Sequence, residues 1–205
     1  MRILSRPKAI ATWPMLPTAT WNSTSDELQY FFPTTVSNRV LWIDARSVRG
    51  CLRDLSQELG CLAECLDSGT LSFLGAEDWA WRGQSNNDYP PVVRALCYLK
   101  EKGVGPRFKG GLQMERDELV EFIPHLGWLT RCNASFPYVY FTDERQQVLG
   151  HVCQHGSLQL SALSPPAEEA TKDFLRASRL TETGKAGCYN RWGTTSAIAG
   201  RVIDV

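Results

Sequence analysis

"FPYVYFTDERQQVLGHVCQHGSLQLSAL", Phe136 to Leu163, is the stretch that decides the class of fold. Three short runs rich in β-branched, aromatic or alternating apolar residues are separated by "DERQ" and "QHGS", both good turn formers. The pattern predicts a three-stranded antiparallel meander. Ser164-Pro-Pro-Ala-Glu-Glu follows at once and reads as a helix start. Serine caps, proline fits the first turn, and the two acids favour the positive end of the helix dipole. Strands and helices alternate without a βαβ rhythm. The class predicted is therefore α+β: a single domain over residues 1–205, with an antiparallel sheet packed against a few helices.

Working outward, Val48, Leu52, Leu55, Leu59, Leu62 and Leu66 recur at spacings of three and four, and predict a helix with one apolar stripe. A second helix is expected over residues 92–102, ended by Gly103. A third, "MERDELVEFI", is limited by Pro124. "RVLWI" at residues 39–43 reads as a strand. Residues 1–35 are rich in Pro, Thr and Trp, and read as an ordered extended arm with short strands. Residues 181–192 read as a loop, and "AIAGRVIDV" as a last strand.

The chain has 205 residues, of which 43% are hydrophobic, enough for one well-buried core. Its 22 basic residues balance its 22 acidic ones, so no field of one sign draws it to nucleic acid or to an anionic membrane. No apolar run approaches the roughly 20 residues that span a bilayer. The N-terminus lacks the continuous apolar segment of a secretory signal. The seven cysteines are odd in number and form no CxxC pair. That usage points to a reducing compartment, a cytoplasmic location and mostly buried thiols, with Cys61 and Cys65 on the packed face of their helix. In such a compartment the sequons at Asn22 and Asn133 carry no meaning.

Common motifs of chemistry fail. "TGKAG" at Thr183 lacks the upstream glycine and the Ser/Thr of a phosphate-binding loop, and "GVGPRFKGG" lacks dinucleotide-binding spacing. His151, Cys153 and His155 alternate along a strand and are of the type zinc takes, yet no fourth ligand is evident. The expectation is no metal and no cofactor.

The loop "DWAWRGQSNNDYPPVVRAL", Asp78 to Leu96, gathers aromatic rings, an arginine and amides around one glycine. Trp79 and Trp81 offer either a cap on the core or a binding anchor. Arg82 beside Gly83 is suited to a carboxylate or phosphate. Its expected role is structural, paired with Asp78 or Asp88. Gln84, Asn86, Asp88 and Tyr89 complete a candidate binding surface. "WRGQSNNDYP" resembles the signature of the FRG domain, with Trp81 in place of phenylalanine and with Arg82, Gly83 and Gln84 matching. "HLGWLTR" resembles that family's second element through His125, Gly127, Thr130 and Arg131, with Pro124 where glutamine usually stands. The resemblance covers roughly residues 40–141. It implies a place in bacterial toxin, phage or defence systems, and would make Arg82, His125 and Arg131 the catalytic candidates.

Two functions are therefore expected. One is a small bacterial immunity- or antitoxin-type protein that binds and inhibits a protein partner such as a cognate toxin. The other is an FRG-like enzyme or nucleotide-binding effector. A zinc protein built on the His151 strand is a third.

Overall fold

The predicted meander is the middle of a larger sheet. The computed structural model describes residues 1–83, 87–183 and 192. In chain order its elements are β1 (Arg2–Leu4), α1 (Arg6–Thr12), β2 (Thr18–Asn22), β3 (Glu27–Phe31), β4 (Ser37–Ile43), α2 (Val48–Cys65), β5 (Thr70–Gly75), α3 (Pro90–Glu101), β6 (Gly111–Glu115), α4 (Arg116–Cys132), β7 (Val139–Asp143), β8 (Val148–Val152), β9 (Leu158–Ala162), α5 (Pro165–Ala177) and β10 (Leu180–Glu182). Eight strands form one antiparallel sheet in the order β1-β6-β5-β7-β8-β9-β4-β10, and β2 with β3 makes a separate hairpin. The fold is α+β.

Alternation along the strands sorts the two faces. Leu71 and Phe73 of β5, Phe141 of β7 and Leu158 and Leu160 of β9 enter the main core beneath α2–α5. Leu74 and Leu149 point the other way, to a smaller cluster with Leu4, Ala9, Trp13 and Leu16 of the N-terminal segment. Helices α2 and α4 cross closely because Gly127 has no side chain. A methyl group there would stand 2.3 Å from Leu52 Cδ2. Ser47 caps α2 by accepting from the Gly50 amide, and Ser164 caps α5 by accepting from Ala167, the second being the cap that the sequence predicts.

Several expectations are corrected. The N-terminal segment is not a simple extended arm: it holds helix α1, places β1 at the edge of the main sheet, and folds back over the second face. Arg6 pins it there, donating to the carbonyls of Gly75, Ala76 and Lys109. Helix α4 runs through Pro124 to Cys132. The proline removes one backbone bond, to Val120, on the exposed side of the helix. Phe122, Ile123, Leu126 and Leu129 bury the opposite stripe and hold the helix straight through. Residues 180–182 pair with β4 rather than lying in a loop. Cys61 and Cys65 lie on the exposed side of α2, not in its packed face. The strand expected in "AIAGRVIDV" lies outside the described residues.

Candidate functional site

The loop after β5 is held by backbone contacts of amides. Asn87 donates to the Cys132 carbonyl at 2.9 Å and accepts from the Tyr89 amide, which sets the start of α3. Asn133, fully buried, donates to the Gly83 carbonyl at 3.0 Å and accepts from the Ser135 amide. Trp81 is no surface anchor. It is fully buried, its indole N–H donates to the Gly110 carbonyl, and its ring meets Phe136 edge-on at 5.7 Å. A fully buried tryptophan whose N–H has a buried partner is a core residue. Trp79, two residues away, is 41% exposed. Asp88 is exposed and Tyr89 packs on Trp128 at 5.9 Å. Gln84 and Asn86 lie outside the described residues.

Arg82 does not make the expected ion pair. Asp78 instead faces Lys109 at 2.8 Å and Arg6 at 3.6 Å. Arg82 donates one Nη1 bond to the Val104 carbonyl at 3.1 Å, and its buried Nε has no partner. It lines a pocket of 210 Å³ with Asn87, Val93, Leu96, Cys97 and Lys100. Among the described residues no acid lines that pocket.

The three residues that the FRG resemblance would make catalytic each engage a different partner: Arg82 the Val104 carbonyl, His125 the Tyr98 ring and Arg131 the Gln154 carbonyl. His125 stacks on Tyr98 at 4.5 Å, on a different face of α3 from the residues beside Arg82. Burial pushes its pKa below the ordinary histidine value, with Glu121 and Glu101 opposing and Arg94 reinforcing that shift. Arg131 is 3% exposed, donates to the Gln154 carbonyl at 2.7 Å and lies 5.8 Å from the Trp192 ring. Burial is the largest influence on it and lowers its pKa. A guanidinium so placed clamps the β8–β9 turn to α4.

The expected strand face of His151, Cys153 and His155 also divides. Strand β8 ends at Val152, and a tight turn follows in which the Gly156 amide donates to the Cys153 carbonyl. Cys153 is paired with the Ser157 hydroxyl at 2.8 Å, while His151 directs Nδ1 to the Val139 carbonyl. A carbonyl only accepts, so Nδ1 carries the proton. Among the described residues no three His, Cys, Asp or Glu side chains gather as a metal site.

A different site emerges on the second face of the sheet. Two cross-strand rows run side by side: Tyr140, His151 and Gln159, then Leu149, Ser161 and Asn38. The segment after β3 overhangs them with Phe32, Pro33 and Thr35, leaving a cleft of 320 Å³. A chain of aromatic contacts borders it. Phe32 meets Tyr140 edge-on at 5.6 Å, Tyr30 meets Tyr138 at 6.4 Å, and Tyr140 lies 5.0 Å from His151. Beneath Tyr30, the fully buried Glu77 accepts from the Tyr30 hydroxyl and from the Tyr138 amide. Burial, with the Glu77 charge nearby, pushes the Tyr140 phenol up to about 12. The aromatic strand "FPYVYF" and the alternation of "LQLSA" carried the signal for this face. The overhang came from residues 32–35, which the sequence did not link to it.

No helix among the described residues is long and apolar enough to cross a membrane. No family model matches the chain, and comparison with curated proteins and with solved structures finds no match.

Proposed function

We propose that the chain is a binding protein of the immunity or antitoxin type, acting in the cytoplasm of a bacterium by occluding a protein partner. The observation that carries this is the distribution of exposed rings. Ten large hydrophobic side chains are exposed among the described residues. Trp21, Phe31, Phe32 and Val36 belong to the β2–β3 hairpin and the segment after it, and Tyr138 is in ring contact with Tyr30 of that hairpin. Aromatic residues dominate the energetics of protein interfaces, and a concentration of them on one projecting element fits an interface anchor. Arg82, His125 and Arg131 are each engaged with a structural partner, which supports binding over catalysis.

The test uses the reading frame beside this gene in its source genome. Expressed alone, its product should arrest growth, and co-expression of this chain should restore it. Trp21→Ala with Phe31→Ala should abolish rescue while leaving the melting temperature unchanged. Full rescue by that double variant refutes the reading.

The pocket at Arg82, lined by no acid among the described residues, favours a second reading, an FRG-like effector that takes an anionic ligand there. Arg82→Ala would then lose activity without losing stability.

A further inference from the structure

We propose that Cys61 and Cys65 form a two-sulfur site on the exposed face of α2 that binds a soft monovalent cation, copper(I) being the ion its chemistry selects. This does not rest on the partner reading, because neither cysteine belongs to the β2–β3 hairpin or to the segment after it.

Helix geometry brings the two thiols together. They stand four residues apart within α2, which runs unbroken from Val48 to Cys65. Residues at that spacing lie one above the other on the same face, with Cβ atoms about 5–6 Å apart. Both thiols are exposed. They also act on each other: burial first, and then the neighbouring Cys61, raise the Cys65 thiol above its ordinary value. The same spacing excludes the bond that paired thiols commonly make. A disulfide needs its Cβ atoms about 3.5–4.5 Å apart, so this pair cannot close directly while the helix holds. An atom inserted between the sulfurs spans the longer gap.

The charges around the pair are already engaged. Glu64 meets Arg116 at 2.7 Å, and Asp173 meets Arg176. Arg179, which lies within electrostatic reach of Cys61, is held by Glu58 at 2.8 Å. That leaves the sulfurs to set the ligand's chemistry. Among the described residues no third His, Cys, Asp or Glu completes a metal-binding group with them. Structural zinc takes four ligands and calcium six to eight, so two sulfurs do not make their sites. Thiolates are soft donors that select copper(I), a closed-shell ion that two sulfurs hold in line. Binding is an exchange without electron transfer: two S–H bonds release their protons to water and two Cu–S bonds form. Exposure on the helix surface leaves the bound ion open to exchange with the thiols of another molecule.

The experiment is titration of the whole chain, reduced and under nitrogen, with copper(I) in competition with a chromogenic chelator. The expected result is one copper(I) held per chain. Cys61→Ser and Cys65→Ser should each weaken binding by more than the roughly 10–100-fold that loss of a mere outer partner of a metal ligand costs. Thermal unfolding checks each variant, and Cys61→Ala or Cys65→Ala replaces a serine variant that does not fold. Phenylarsine oxide tests the geometry without copper. It condenses with two thiols and releases one water, so the parent chain should gain one aryl-arsenic group by intact mass and each single variant none. The proposal is overturned if the chain takes no copper(I) from the chelator, or if its affinity survives either substitution. It is equally overturned if the arsenical adduct persists in both single variants.

Discussion

Removing Asn133 should destabilise the protein much more than removing Arg82, although arginine is the larger and charged residue. Asn133 is fully buried and joins two backbone groups: it donates to the Gly83 carbonyl and accepts from the Ser135 amide. Asn133→Ala leaves both without their partner. Each net hydrogen bond is worth about 1 kcal/mol, and a group that stays dry and unpaired costs about 1–3 kcal/mol, so a loss of about 2–4 kcal/mol is expected. Arg82 is half-buried, makes one bond to the Val104 carbonyl, and keeps its Nε buried with no partner. Arg82→Ala gives up a bond of about 1.5 kcal/mol and relieves an unmet donor of similar size. The net change should stay within about 1 kcal/mol. Urea unfolding followed by tryptophan fluorescence reads both variants on one scale. If Arg82→Ala costs as much as Asn133→Ala, the guanidinium and not the amides holds the loop, and the reasoning fails.

Two glycines in neighbouring helices should respond oppositely to alanine. At Gly60 the nearest atom to a new methyl is Arg116 Cγ at 3.7 Å, so Gly60→Ala should stabilise by up to about 1 kcal/mol through helix propensity. At Gly127 the methyl meets the core residue Leu52 at 2.3 Å, and Gly127→Ala should destabilise by about 1–3 kcal/mol in the same urea assay. Burial lowers the His125 pKa below its ordinary 6.5, so the unfolded chain takes up that proton first. Its contribution to stability is complete above pH 6.5 and is lost as pH falls from there through the lower folded value. An NMR titration should place the His125 ring below 6.5, and His125→Gln should flatten the melting temperature over that range.

The elements that were legible in the sequence are those whose pattern is local. The leucine stripe of α2, the Ser164-Pro cap of α5 and the strand–turn–strand alternation from Val139 to Ala162 each show within one window. What escaped depends on distant partners. β1 and β6 are short and gain their identity only from each other and from β5. Pro124 ends a helix in isolation, but here tertiary packing of Phe122 and Leu126 overrides it. The loop from Asp78 draws the eye to Arg82, yet its fasteners are two amides, Asn87 within it and Asn133 at the end of α4. The cleft was unreadable because its overhang and its floor are separated by over a hundred residues: only the fold places Phe32 against Tyr140.

The outer strands of the sheet have a consequence for how the chain folds. Strand β1 at one edge pairs with β6, with Arg2 and Gln113 separated by 111 residues, and β10 at the other edge pairs back to β4. Neither edge can form until much of the intervening chain is available, so loop-closure entropy opposes both pairings. During synthesis Trp13 and Leu16 have no apolar surface to cover until Leu74 and then Leu149 have emerged. The expected order is a meander of β7, β8 and β9 with α2 and α4 first, then attachment of the N-terminal segment over the finished second face. Folding dominated by such non-local pairing runs on the order of milliseconds to seconds or slower. Until that last step the aromatic floor of the cleft lies open, and it is then that the chain is most exposed to aggregation.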